Sequence, residues 1–265
     1  MCCVPVTAMM QPKTEIAKRE VTLAAFSTSR IPRSSNSKPP DICGGLDVYI
    51  ANPDSFPSSV VVSATPEFVI IRDLYPKASV HLLVLPRAQA KTHLHPFAAL
   101  DGSDPAFLAA VQVECSKARQ LAASELRRLF GQSSTQDQLR EANMSSTNSE
   151  EDMTTELPAG RDWSASVMVG VHSVPSMDNL HIHVISIDRH SSKLKHRKHY
   201  NSFSTPFFVP LSDFPLAEDD VRRWPGKENY LAWDFICWRC GANFGKKFTQ
   251  LKAHLESEFV EWKQE

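Results

Sequence analysis

Residues 169–203 read VGVHSVPSMDNLHIHVISIDRHSSKLKHRKHYNSF. Their centre, Asn179-Leu180-His181-Ile182-His183-Val184-Ile185, alternates polar and apolar residues with period two. That alternation predicts a β-strand with Asn179, His181 and His183 on one face and Leu180, Ile182 and Val184 on the other. Histidines two positions apart on a strand stand roughly 7 Å apart, so one ring can attack a phosphorus while its neighbour orients it or holds charge. The same His-x-His pattern also occurs on solvated strand faces and as half of a metal site. Just upstream, Val167-Met168-Val169-Gly170-Val171 predicts a second strand ending at His172, and Ser173-Val174-Pro175-Ser176-Met177-Asp178 a tight connection. The chain then returns antiparallel, bringing His172 and the Ser176 hydroxyl to the imidazole row.

The pattern His172-x-x-Pro175-Ser176-Met177-x-Asn179-Leu180-His181-Ile182-His183-Val184 resembles the histidine-triad nucleotide hydrolases and transferases, most closely their aprataxin branch of DNA-adenylate hydrolases. The resemblance implies His181 as nucleophile, with His183, His172 and Ser176 stabilising the phosphorus oxygens. The family's first triad histidine is replaced by Asn179, whose amide can still hydrogen-bond a neighbouring ring. His172 and His190 are then the candidates for protonating the leaving oxygen.

At 265 residues and 42% hydrophobic content, the chain can bury one sizeable core with a small annex. No apolar run reaches transmembrane length and the start lacks a signal-peptide layout, so an intracellular protein without a membrane span is expected. Six cysteines, at positions 2, 3, 43, 115, 237 and 240, lack a disulfide-scaffold spacing and read as reduced, with one pair serving a metal.

Residues 1–40 are rich in Ser, Thr and Pro and are expected to be disordered. Leu46 to Asn52 reads as a short helix carrying Tyr49. The resemblance makes Tyr49 a wedge against a terminal DNA base pair and Leu46 part of the nucleotide pocket; a core tyrosine is the plainer reading. Ser59–Ser63, Phe68–Arg72 and Val80–Arg87 predict three strands in a meander. Within it, Asp73-x-Tyr75-Pro76-Lys77-Ala78-x-x-His81-Leu82-Leu83-Val84-Leu85-Pro86 is a second family match. It implies Asp73 as acceptor for the ribose hydroxyls, with Lys77 and His81 supporting the nucleotide site.

From Asp104 to Gly131 the apolar spacing predicts a long amphipathic helix packed on the sheet, capped by Asp104 with Pro105 at its first position. Residues 132–160 are polar and acidic and are expected to form an exposed, flexible insertion. Removing it from the net charge of −1 leaves a more basic body. Between Arg189 and Tyr200 stand five basic side chains and three imidazoles. Such a run is a solvated face, a nuclear-localisation signal or a polyphosphate contact. Its match to the aprataxin pattern at Lys195, Lys198, His199 and Ser202 implies DNA binding.

Residues 211–229 read as a linker with a short helix. Beyond it, Cys237-x2-Cys240-x13-His254-x3-Glu258 has zinc-finger spacing, with a carboxylate in the last ligand position. Positions 254 and 258 lie one helical turn apart, so four donors can close a tetrahedron around a structural Zn2+. Phe244, Phe248 and Leu251 would fill its small core.

The expectation is an α+β histidine-triad domain over 41–210 and a finger over 230–265. The resemblance implies removal of AMP from 5′-adenylated DNA ends through a histidyl-AMP intermediate, on nicked DNA and RNA-DNA junctions, by a nuclear monomer. A small dinucleoside polyphosphate or phosphoramidate hydrolase, a non-catalytic zinc-finger DNA binder and an mRNA cap scavenger are the competing readings.

Overall fold

β-Branched and aliphatic runs build the centre of the molecule. β2 (Phe68–Arg72) and β3 (His81–Pro86) are buried almost throughout, which requires cover on both faces of the sheet. The structure, a computed structural model, describes residues 45–146 and 157–265; the expected polar lead 1–40 and residues 147–156 lie outside them. With β1 (Val61–Ala64), β4 (Val167–His172), β5 (Ile182–Ser186) and β6 (Phe208–Pro210), the two strands form a six-stranded antiparallel sheet in the order β1-β2-β3-β5-β4-β6.

The helices in chain order are α1 (Asp47–Ala51), α2 (Gln89–Thr92), α3 (Pro96–Ala99), α4 (Pro105–Phe130), α5 (Thr135–Ser146), α6 (Arg197–Ser204), α7 (Pro225–Glu228) and α8 (Phe248–Trp262). α4 starts where expected: the Asp104 carboxylate accepts from the Phe107 N–H at 3.0 Å. Its Val111, Cys115, Ala118, Ala122 and Leu126 pack with Leu82, Val84, Leu180, Ile182 and Val184 in the main core. Small residues on α4 let it lie close to the β-branched strand face. On the opposite face, Leu46, Tyr49 and Ile50 cover Val69, Ile71, Leu83 and Leu85. Phe203 and Phe208 close over Ile185 and Ala78.

Gly170 of β4 lies against β6: a Cβ there would sit 2.4 Å from the Val209 carbonyl oxygen and 2.8 Å from the Phe208 ring. Only glycine fits so close an approach.

The stretch expected as a flexible insertion is corrected over its first half. Residues 131–133 form a 3-10 turn and α5 follows, with Ser134 and Asp137 buried. Asp137 is 1% exposed and accepts from the Trp163 indole N–H at 2.8 Å and the Arg161 backbone N–H at 3.0 Å. Polar residues here satisfy buried donors, so their composition resembles that of a solvated loop. The linker segment is likewise part of the body at its start, since Leu211, Phe214 and Leu216 lie in the main core.

The last helix joins the same core. Trp262 is 1% exposed and makes edge contacts with Phe130 and Trp163 at 5.8 and 6.0 Å between centroids. Its carbonyl accepts from the Arg161 guanidinium at 2.5 Å. The carbonyls of Gln264 and Glu265 accept from Thr135 N–H and Ser134 Oγ at 3.0 and 3.2 Å.

Candidate active site and zinc centre

Pairing of β5 between β3 and β4 sets Leu83 and Gly170 on either side of His183, and His81 opposite Ile185. Four imidazoles collect on this face. Ring centroids lie 4.9 Å apart for His181 and His183, 4.4 Å for His172 and His183, and 5.2 Å for His81 and His183. The Phe203 ring walls the group, 4.6 Å from His172 and 5.2 Å from His183.

His181 is held by one decisive bond. Its Nδ1 lies 2.8 Å from the Asn179 carbonyl oxygen. A carbonyl only accepts, so Nδ1 carries the proton and Nε2 keeps its lone pair. Burial pushes the ring's pKa below the ordinary value of 6.5, which favours that neutral form.

Burial, reinforced by neighbouring imidazoles, also holds His172 down to about 3 and His183 well below the ordinary value. His81 is lowered to about 4 by burial, against the raising effect of the Asp73 charge. Near neutral pH the four rings are therefore uncharged donors and acceptors. His81 Nε2 lies 3.0 Å from His183 Nδ1, and its Nδ1 lies 3.2 Å from Asp73 Oδ2. The other Asp73 oxygen accepts from Tyr75 N–H at 2.7 Å. His172 Nε2 and His183 Nε2 are buried without hydrogen-bond partners, polar atoms poised for a ligand.

The remaining expected residues divide. Lys77 is half-buried beside the site, its N–H 3.3 Å from His81 Nδ1. Ser176 is exposed on the β4–β5 connection. The Asn179 amide bonds the chain at α1 instead of a neighbouring ring: its Oδ1 accepts from Leu46 N–H at 3.2 Å and its Nδ2 donates to Asp47 at 2.6 Å. It thereby ties α1 to the strand of His181. Leu46 is buried there, and Tyr49 packs on the same cluster, its ring 4.6 Å from Phe56.

His190, the other candidate acid, is engaged by the finger helix. Its ring stacks on Phe259 of α8 at 3.8 Å and its Nε2 lies 2.9 Å from Glu256, so aromatic stacking and an acidic partner direct it to the finger helix. In the basic run, Lys195 and Lys198 are exposed. Lys195 N–H donates to His199 Nδ1 at 3.2 Å and Ser202 Oγ to the His199 carbonyl at 3.3 Å. Phe203 of α6 is the residue of the site that periodicity does not single out, since its ring partners His81, His172, His183 and Phe208 come from β3, β4, β5 and β6.

The second cluster is the expected tetrad. One donor atom from each of Cys237, Cys240, His254 and Glu258 can be chosen with all four within 4.8 Å of one another. Cys240 Sγ lies 3.1 Å from His254 Nε2, which lies 3.0 Å from Glu258 Oε1. Zinc bonds of about 2.0–2.3 Å require such spacing, and two thiolates, an imidazole and a carboxylate suit that ion. The free Glu258 oxygen accepts from Arg239 at 2.8 Å, orienting the carboxylate. Tyr200, Phe235, Leu251 and Leu255 pack beneath the knuckle.

Both parts of the chain are similar to known proteins. Residues 204–261 match the C2HE / C2H2 / C2HC zinc-binding finger, and residues 48–199 the model described as scavenger mRNA decapping enzyme C-term binding. The aprataxin-like protein of Schizosaccharomyces pombe is 32% identical over 82% of this chain and 81% of its own length. That of Saccharomyces cerevisiae is 33% identical over 81% of this chain and 94% of its own. The solved structure of the aprataxin ortholog Hnt3 from S. pombe superposes with a TM-score of 0.62 at 30% identity, covering 84% of this chain and 95% of that one. Hnt3 in complex with DNA and guanosine gives 0.61 at 30% identity, over 82% and 95%.

Proposed function

The chain belongs to the aprataxin-like proteins, and from that membership we propose that it repairs DNA ends by removing AMP from 5′-adenylates left by abortive ligation. The observation that carries the reading is the Nδ1–H bond from His181 to the Asn179 carbonyl, which aims an Nε2 lone pair among neutral, unpartnered imidazole atoms.

In the first step His181 Nε2 attacks the adenylate phosphorus. The N–P bond forms as the bridging P–O bond breaks, and its electron pair leaves with the 5′-phosphate of the DNA. In the second step water attacks the histidyl-AMP phosphorus and returns the pair to Nε2, freeing AMP. His183 Nε2, His172 and Ser176, with nearby backbone amides, stabilise the phosphorus oxygens as their charge spreads. The departing 5′-phosphate is a stable anion and needs no proton from His172, whose ring burial keeps neutral. Asp73 takes the ribose hydroxyls, flanked by Lys77, His81 and Leu46.

The Hnt3 complex with DNA supports a nucleic-acid substrate here. Lys195, Lys198, His199 and Ser202 meet the DNA backbone and Tyr49 its terminal base pair; contacts to phosphate position the chain without reading sequence. The tetrad would hold a structural Zn2+ that fixes the knuckle beside this surface. The same chemistry extends to nicked DNA and RNA-DNA junctions, with a monomer acting in the nucleus.

The test is incubation with a nicked duplex bearing a 5′-adenylate, beside free diadenosine tetraphosphate. Release of AMP from the nick, lost by about 10^3-fold or more in His181→Ala, is expected. Cleavage of the free dinucleotide alone would make the protein a small-nucleotide hydrolase.

A further inference from the structure

Asp73, His81 and His183 form one chain of contacts whose two ends face different parts of a nucleotide. Asp73 Oδ2 is 3.2 Å from His81 Nδ1, His81 Nε2 is 3.0 Å from His183 Nδ1, and His183 Nε2 is buried with no partner. A second donor competes at the first link, because Lys77 N–H lies 3.3 Å from the same Nδ1.

Each neutral imidazole carries one N–H, so the chain has two consistent proton arrangements. In the first, His81 Nδ1–H donates to Asp73 and His183 Nδ1–H donates to His81 Nε2. His183 Nε2 is then a lone pair, which repels an anionic phosphoryl oxygen. In the second, Lys77 N–H donates to His81 Nδ1 and His81 Nε2–H donates to His183 Nδ1. His183 Nε2–H is then a donor aimed into the site. Free Asp73 favours the first arrangement, whereas a bound nucleotide favours the second at both ends, through ribose hydroxyls drawing on the carboxylate and phosphoryl oxygens seeking a donor.

We propose that Asp73–His81–His183 is a tautomer relay through which the nucleoside end of the pocket sets the hydrogen-bonding character of the phosphate end. The proposal rests on the nucleotide reading given above. The exchange is balanced: the His183 Nδ1 proton passes to His81 Nε2, one proton leaves His81 Nδ1 for water, and one from water arrives at His183 Nε2. No net charge enters the buried cluster. His81 thus acts as a positioning residue, and a nucleotide lacking the vicinal hydroxyls engages the phosphate site with the wrong tautomer in place.

The experiment is 15N NMR of the full chain labelled at histidine, with His183 assigned through His183→Gln. Spectra are recorded free, with AMP, and with 2′,3′-dideoxyadenosine monophosphate, which keeps the phosphate and lacks both hydroxyls. His183 is expected to be protonated at Nδ1 in the free protein, at Nε2 with AMP, and to remain largely at Nδ1 with the dideoxy analogue. Asp73→Asn, whose amide can donate to the His81 Nδ1 lone pair, is expected to show the Nε2–H form without ligand. An unchanged His183 tautomer in AMP-bound protein, or the same shift with both nucleotides, overturns the relay while leaving the nucleotide site intact. If AMP moves no imidazole signal, the nucleotide reading fails and the relay with it.

Discussion

The Tyr200 hydroxyl donates to the Ile236 carbonyl at 2.7 Å and accepts from the Trp238 N–H at 3.0 Å. One side chain of α6 therefore clamps both sides of Cys237. Tyr200→Phe takes the shared partner from two half-buried backbone groups, at about 0.5–1.5 kcal/mol. Urea unfolding should show that loss. Because α6 also carries Lys198, His199 and Ser202, KM for a nicked adenylate should rise; an unchanged midpoint and KM would refute the clamp.

The buried imidazoles predict an acid-sensitive fold. His81 titrates at about 4 and His172 at about 3 in the folded protein, against an ordinary 6.5. Between these values the unfolded chain binds more protons, so this stability is present above pH 6.5 and is lost as pH falls through 4 and then 3. Melting temperature measured from pH 8 down to 3 should be flat and then drop. Activity should persist somewhat below pH 6.5, since burial also lowers His181; an acid limb above 6.5 would contradict this.

Removing Arg239 tests the metal centre through its outer contacts. Arg239 bonds the free Glu258 oxygen and also Glu261 and Glu265. Arg239→Ala should weaken zinc affinity by about 10–100-fold in a chelator competition. Stripping zinc completely should lower the melting temperature and change the fluorescence of Trp238 and Trp262, because metal binding and folding are coupled.

Asp137→Ala should destabilise the protein by about 2–4 kcal/mol, as the Trp163 indole and Arg161 amide lose their buried acceptor. Denaturant titration checks this. A change below about 0.5 kcal/mol, the usual range for exposed positions, would mean that α5 does not support the core.

The catalytic face and the finger were legible because both are written locally. Alternation over residues 179–185 fixes which side chains face together, and the Cys-x2-Cys spacing with His254 and Glu258 fixes the tetrad. What escaped depends on distant partners. Asn179 bonds Leu46, 133 positions away, instead of a neighbouring ring. Asp137 sits in a segment whose polarity suggests solvent, yet its acceptor capacity serves a tryptophan 26 residues on. His190 lies in the basic run, but the aromatic platform that turns it is in α8. Contacts of this kind leave no periodicity to read.

β5 places Ile182 and Val184 in the main core while His183 and Ile185 face the imidazole cluster and Phe203. Gain or loss of a single codon within this strand would shift every later side chain by half a period, driving imidazoles into the hydrocarbon layer and aliphatics into the reaction space. Conservative replacements at Ile182 or Val184 can survive one at a time, but a one-residue indel damages folding and chemistry in the same event. Descendants of this gene should therefore vary in the spelling of the strand far more readily than in its length.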